Sequence, residues 1–320
     1  MPQQILLFTN GWTDLALEEL SAKASQWGYA GFELTCYPGF IDVGRASSDS
    51  SYLSQIRETL SRYDLRIGVV SNHKVSQAIC DLIDERHKAL LPEVIWGDGK
   101  PEGVRKRAIE EMVATIHLAQ KLGVAVVSGF TGSPIWSYVA GYPAAPEKLI
   151  SQAFKDFGKN FRPILEACRE TGVKFAFEVH PGQMAFDLYS AEMVLDAVHG
   201  SEEFGFTFDP SHLHWQGVEP LEFLRAFPTR IYHVHAKDAI LTLNGRAGIL
   251  NSYLPSGDPR RGFQFRSPGH GSIDWESLFR ELNTMKYTGA IAVDYHDRGI
   301  PRESGAQDAC QFLKSFDILG

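Results

Sequence analysis

Short apolar runs alternate along the chain with longer stretches whose apolar positions recur every three or four residues. The runs "ILLFT", "GFELTC", "RIGVVSNH", "VAVVSGF", "KFAFEVH", "FGFTFDPSH", "RIYHVHAKD" and "GAIAVDYH" have the length and β-branched or aromatic content of strands. Between them, "TDLALEELSAKASQWG", "VRKRAIEEMVATIHLAQKLG" and "EKLISQAFKDFGKNFRPILEACRETG" carry one apolar face at helical period and end in glycine, an expected stop signal. Eight strands alternating with helices predict parallel βαβ units. In one chain they predict a closed (β/α)8 TIM barrel, which 320 residues suit as a single domain over 1–320. Two insertions, near 72–101 after the third strand and 239–271 after the seventh, follow strand C-termini, the face on which such barrels build their sites.

The late strands carry a finer pattern. Side chains alternate across a strand, so Phe175, Phe177 and Val179 oppose Ala176, Glu178 and His180. Phe204, Phe206 and Phe208 likewise oppose Gly205, Thr207 and Asp209. Tyr232 and Val234 oppose His233 and His235, and Ile291, Val293 and Tyr295 oppose Ala292, Asp294 and His296. The bulky face suits surrounding helices, while small residues followed by an acid or a histidine face the barrel axis near the strand's end. Burying such groups without partners costs roughly 2–7 kcal/mol for even a neutral polar group. Glu178, Asp209, His235 and Asp294 therefore converge on something that receives them. Three carboxylates and one imidazole suit a divalent cation such as Mn²⁺, Mg²⁺ or Co²⁺, with Zn²⁺ as a further alternative. The rival reading is a set of hydrogen-bonded polar residues at the mouth of a silent barrel. It competes for any one of the four and weakens for all four together.

Composition narrows the function classes. Hydrophobic residues make up 44% and charged residues 22%, as in a soluble globular protein. A net charge of −8 gives no footprint for nucleic acid, and no apolar run approaches the ~20 residues of a membrane span. The start "MPQQILLFTNGW" lacks a basic leader segment, and Cys36, Cys80, Cys168 and Cys310 form no CxxC pair. A reduced, cytoplasmic protein is the expectation. The stretch "GDGKPEG" lacks strand-to-helix phosphate-cradle spacing.

The succession "FEVHP", "FDPSHL", "HVHAKDA", "PGHGSIDW" and "AVDYHD" resembles the xylose isomerase-like barrels grouped as sugar phosphate isomerases and epimerases, over nearly the whole chain. The resemblance implies one divalent metal, manganese foremost, on Glu178, Asp209, His235 and Asp294. Asp294 departs from the family's glutamate by one methylene. The resemblance also implies that His212 contacts substrate oxygens. The epimerases' arginine after the strand-seven histidine is missing, and Lys237 or Arg246 would substitute. His270 lies where the family has a glycine-rich turn bearing on the site. The stretches "NHKVSQAICDLIDERH" and "WGDGKPEGVRKRA" resemble a subgroup that includes catalytic subunits cleaving 3-keto-glycosides, among them C-glycoside deglycosidases. His180 is then a general base suited to neutral pH.

The expectation is thus a metal-dependent sugar isomerase or epimerase that abstracts a proton α to a carbonyl through an enediolate, with Glu178, His180 and Asp294 as catalytic residues. One alternative is a lyase eliminating from 3-keto-glycosides. Another, of a different class, is a non-catalytic sugar-binding or assembly subunit. His73, His212, Lys237 and His270 are expected to touch a small carbohydrate substrate. No nucleic acid or membrane partner is expected, and a homo-oligomer or accessory subunit is allowed. Asn72 is as well read as a turn cap. Trp12, Cys36 and Trp136 read equally as packing or as an apolar wall, and His214 and Trp215 as site or helix-facing residues. A DNA-cutting multi-zinc barrel would need more early-strand histidines and a basic surface.

Overall fold

The computed structural model describes residues 4–49 and 51–316; the other positions of the expected 1–320 domain lie outside the described residues. Eight parallel strands close into a barrel. They are β1 (Ile5–Phe8), β2 (Gly31–Thr35), β3 (Arg66–Ser71), β4 (Val126–Gly129), β5 (Lys174–Glu178), β6 (Phe204–Phe208), β7 (Ile231–Ala236) and the last barrel strand, β10 (Ile291–Val293). Their order is β1-β10-β7-β6-β5-β4-β3-β2, and each expected strand is present. A separate antiparallel pair, β8 (Asp238–Leu241) with β9 (Phe263–Arg266), arises from the 239–271 insertion. The 72–101 insertion folds into short helices at His73–Ser76, Glu85–Lys88 and Glu93–Trp96. Among the described residues no helix is long and apolar enough to cross a membrane.

Contacts group the chain into two compact units. In the unit formed by Thr35–Ser54 and Val69–Thr207, the helix Glu147–Thr171 buries Phe157 and Phe161. Phe161 lies 5.4 Å from Phe175 of β5, and both helix rings lie 5.9 Å from Phe204 of β6. The aromatic alternation therefore faces the helix, as the pattern requires. On the opposite strand face Ser128 of β4 and Thr207 of β6 share a hydrogen bond of 2.8 Å. The same helix crosses the end of Leu188–Ala197 at Gly158, where a Cβ would stand 2.2 Å from the Ala197 carbonyl. Only glycine admits that approach.

The second unit comprises Met1–Leu34, Gln55–Gly68 and Phe208–Gly320. Here β1 pairs with β2 and β10, and β10 with β7, in register Ala292 to His235. The long connection from β7 to β10 is pinned by Asp238, which is 1% exposed. Its carboxylate accepts from the Ala239 N–H at 2.8 Å, Ile273 N–H at 3.2 Å, Gly269 N–H at 3.1 Å and the Trp275 indole at 2.8 Å. This explains the "PGHGSIDW" turn as packing. A Cβ at Gly271 would meet the Asp238 carboxylate at 2.0 Å.

Asp238→Asn replaces one accepting oxygen with an amide group that faces donors. Urea unfolding should show a loss of roughly 2–4 kcal/mol, the range for charged hydrogen bonds replaced by unsatisfied buried donors. A midpoint unchanged from wild type would contradict this role.

Candidate metal centre

In the unit that carries β7 and β10, alternation places Asp209, His235 and Asp294 on the same side of their strands. Asp209 follows β6 and caps the short helix Pro210–His214, its Oδ1 accepting from the Ser211 N–H at 2.9 Å and the Ser211 hydroxyl at 2.6 Å. His235 lies inside β7, and Asp294 follows β10 directly. One ligand atom from each of the three lies within 4.8 Å of the others, and all three residues are buried. Oxygen, oxygen and nitrogen donors at this spacing fit a hard or borderline divalent cation.

Lys237, 2% exposed, joins this group. Its Nζ stands 2.8 Å from Asp209 Oδ2, 2.5 Å from Asp294 Oδ2 and 3.0 Å from His212 Nε2. An ammonium only donates, so His212 Nε2 is the acceptor and His212 is neutral. His296 Nε2 lies 3.0 Å from Asp294 Oδ1. Burial would raise the Asp294 carboxyl, but His296, Lys237 and His235 beside it overcome that and hold the group well below the usual carboxylate range. Both Asp294 oxygens keep a second lone pair beside these contacts, which leaves acceptor capacity for a cation.

Sequence reasoning missed Glu33 of β2. Its Oε2 lies 2.7 Å from His233 Nε2 and 2.8 Å from His235 Nε2, and all three residues are 0% exposed. Burial pushes the Glu33 carboxyl up, and the two imidazoles more than reverse it, bringing it to about 2. The signal was present: in "GFELTC" Gly31, Glu33 and Thr35 alternate with Phe32 and Leu34, as in the late strands. Phe265 of β9 was also missed. It lies edge-on to His212 at 5.4 Å and 5.1 Å under the Lys237 ammonium, so the β8–β9 pair covers these groups with an aromatic ring.

In the other unit Glu178 closes β5 and is 2% exposed. His73 of the 72–101 insertion places Nε2 3.0 Å from Glu178 Oε2 and 3.4 Å from the Ser128 hydroxyl. His180 lies two residues beyond the strand end and is half-buried. Its Nδ1 contacts the Pro181 carbonyl. A carbonyl only accepts, so Nδ1 carries the hydrogen and Nε2 is the basic nitrogen. Phe130 packs edge-on to both His73 at 4.7 Å and His180 at 5.4 Å.

Other candidates lie elsewhere. His270 is half-exposed and its Nε2 pairs at 2.7 Å with Asp308 of the helix Arg302–Lys314, because the turn held by Asp238 aims it at that helix. The residue expected to contact substrate thus lies in a surface pair. His214 reaches the Ser272 hydroxyl at 2.9 Å, and Trp215 stacks on Phe263 at 4.3 Å. Trp12 packs on Trp27 at 5.3 Å, Trp136 packs on Phe186 at 5.2 Å, and Arg246 is exposed. The Asn72 amide donates to Thr115 at 3.0 Å and caps no helix through its side chain.

A parallel barrel with a buried acid–histidine cluster beyond its strand ends is an enzyme-like scaffold with metal-competent chemistry. Residues 21–316 match the family described as the xylose isomerase-like TIM barrel, and the chain belongs to that family. It is 26% identical over 219 residues to the uncharacterized protein YfiH of Bacillus subtilis, covering 62% of this chain and 68% of that one. It is 25% identical over 146 residues to an inosose dehydratase of Clostridium perfringens, covering 46% of this chain and 48% of the relative, so the match spans about half of that protein. Among solved structures, the 3-keto-D-glucoside 4-epimerase YcjR of E. coli superposes with a TM-score of 0.69 at 14% identity over 98% of this chain and 99% of that one. The IOLI protein with a bound zinc atom gives 0.64 at 16% identity over 99% and 98%. At these identities the structural likeness speaks for the fold.

Lys237→Met leaves Asp209 and Asp294 without their ammonium. Metal-free protein at pH 7 should lose roughly 3–5 kcal/mol, the cost of an uncompensated buried charge. A carboxyl held low stabilises the fold fully above its unfolded value and loses that contribution as pH falls through the folded one. The gap between wild type and variant should therefore narrow below the ordinary aspartate value of 3.8. Parallel urea titrations from pH 7 to pH 3 with chelator present check this. A gap that widens on acidification would contradict it.

Proposed function

We propose that this chain is a divalent-metal-dependent enzyme that abstracts a proton α to the carbonyl of a small carbohydrate. The observation that carries this reading is the buried Asp209, His235 and Asp294 group with its Lys237 ammonium. Glu178, from the strand preceding Asp209, is assigned as the fourth ligand. Charge counting supports the set. Three carboxylates against one ammonium leave two negative charges, which one divalent cation balances. Mn²⁺ is the favoured ion, with Mg²⁺, Co²⁺ and Zn²⁺ as competitors.

A divalent cation held by Glu178, Asp209, His235 and Asp294 would supply the positive charge that acidifies a C–H next to a carbonyl. The residues of the chain do the rest. His180 Nε2 takes the α-proton, and its Nδ1–H bond to the Pro181 carbonyl holds the tautomer and ring. His73 holds Glu178 through Nε2–H, and neutral His212 offers its ring to substrate oxygens beside Lys237. Phe265 shields the group from water. Returning the proton to the adjacent carbon completes an isomerisation, and returning it to the other face an epimerisation. Asp294 is assigned as the acid–base group for that delivery.

A second reading is elimination, and the inosose dehydratase relatives favour it. There the same α-proton leaves to His180, the β C–O bond breaks, and the departing oxygen takes a proton from an acid. Lys237, with its three donors aimed into the group, is placed to supply it. The expected 3-keto-glycoside cleavage belongs to the same chemistry.

Two measurements test these readings. Purified protein dialysed against Mn²⁺, Co²⁺ or Zn²⁺ should bind one ion per chain, and Glu178→Ala and His235→Ala should each abolish binding. Undiminished binding in both would show the ligands to be wrongly assigned. Ketoses, inososes and 3-keto-glycosides incubated in deuterated water should then gain deuterium at the α-carbon. His180→Gln should keep its metal and lower kcat by about 10²–10⁴. Binding of sugar without turnover of any of them would favour the non-catalytic subunit.

A further inference from the structure

We infer that Glu33 is a positioning residue that presents His235 to the metal through Nδ1. This rests on the metal reading above and extends it to a residue outside the assigned site. The geometry is compact. Glu33 Oε2 lies 2.7 Å from His233 Nε2 and 2.8 Å from His235 Nε2, with all three side chains fully buried. An ionised carboxylate accepts and does not donate, so each Nε2 carries a hydrogen. The nitrogen of His235 with a lone pair to offer is then Nδ1.

Two aromatic contacts hold that choice. The His235 ring stacks on Phe8 of β1 at 5.1 Å and 26°, and the His233 ring meets it edge-on at 5.1 Å and 87°. A ring flip would break the Glu33 hydrogen bond while the ring remained clamped between Phe8 and His233. The Nε2–H bond to a carboxylate also raises the basicity of the opposite nitrogen, as in carboxylate–histidine–metal arrangements generally. His233 supplies the second donor to Oε2 and so holds the buried Glu33 charge in line.

The rival for these three residues is a separate metal site, since one ligand atom from each lies within 4.8 Å of the others. The spacings argue against it. Contacts of 2.7 and 2.8 Å are those of hydrogen bonds. Neighbouring ligands around a tetrahedral ion at ~2.0–2.1 Å would stand roughly 3.3 Å apart.

The test uses full-length protein stripped with chelator and titrated with Co²⁺ and Zn²⁺. Glu33→Gln should weaken binding by about 10–100-fold, the usual effect of losing a ligand's carboxylate partner. The lost charged hydrogen bonds lower the metal-free urea midpoint whether Glu33 positions His235 or merely packs, so the histidine tautomer is the readout that a merely structural role would not move. ¹⁵N-histidine spectra should show hydrogen on His235 Nε2 in metal-free wild type and a metal-shifted Nδ1 on loading. Unchanged affinity in Glu33→Gln, coordination through Nε2, or two ions per chain would each overturn the inference. Wild type that binds no ion would instead sink the metal reading itself. Glu33→Leu, if it folds, should lose the tautomer preference as well.

Discussion

Buried negative charge is the constraint from which the site follows. Asp209 and Asp294 are both buried, and the Lys237 ammonium between them is one positive charge for two carboxylates. A desolvated carboxylate persists only with a partner, and the cost of leaving one unpaired exceeds most single packing terms. The site is therefore a balance in which each group depends on its neighbours. Lys237 neutralises part of the charge, His296 bonds Asp294 from the half-exposed side, and His212 occupies the remaining ammonium donor. Two carboxylates against one ammonium leave the group net negative.

The insertion after β7 converts this polar group into a shielded one. Asp238 gathers four donors and fixes the turn of which Gly271 is a part. Directly beyond it, β8 and β9 pair and bring Phe265 over Lys237 and His212. Adjacent residues thus divide the labour: Lys237 joins the buried carboxylates and Asp238 holds the turn. His270 lies on the turn that Asp238 holds and pairs there with Asp308.

Period-two alternation was legible because it is local. Phe175, Phe204 and Phe206 are fully buried in an aromatic layer, while Thr207 and Ser128 meet on the opposite face. The strands, their order along the chain, and the acids and histidines at their ends all follow from patterns spanning ten residues or fewer. The helix Glu147–Thr171 and its glycine stop are of the same kind. Glu33 was legible in principle, because "GFELTC" carries the same alternation, yet a lone acid on an early strand has no distinguishing neighbour in sequence.

Partnership across long separations was not legible. Glu33 and His235 are 202 positions apart, and Lys237 and Asp294 are 57 apart. Nothing in the spacing of either pair says which nitrogen of an imidazole faces a carboxylate, or which of two flanking residues an ammonium bridges. Those choices are made when strands distant in sequence pair side by side, because hydrogen bonds and ion pairs act over about 3 Å and depend on direction. By itself the sequence determined which residues face inward, since that needs only the backbone's own period. Tertiary structure decided which of them touch, since contact is a property of the assembled strands.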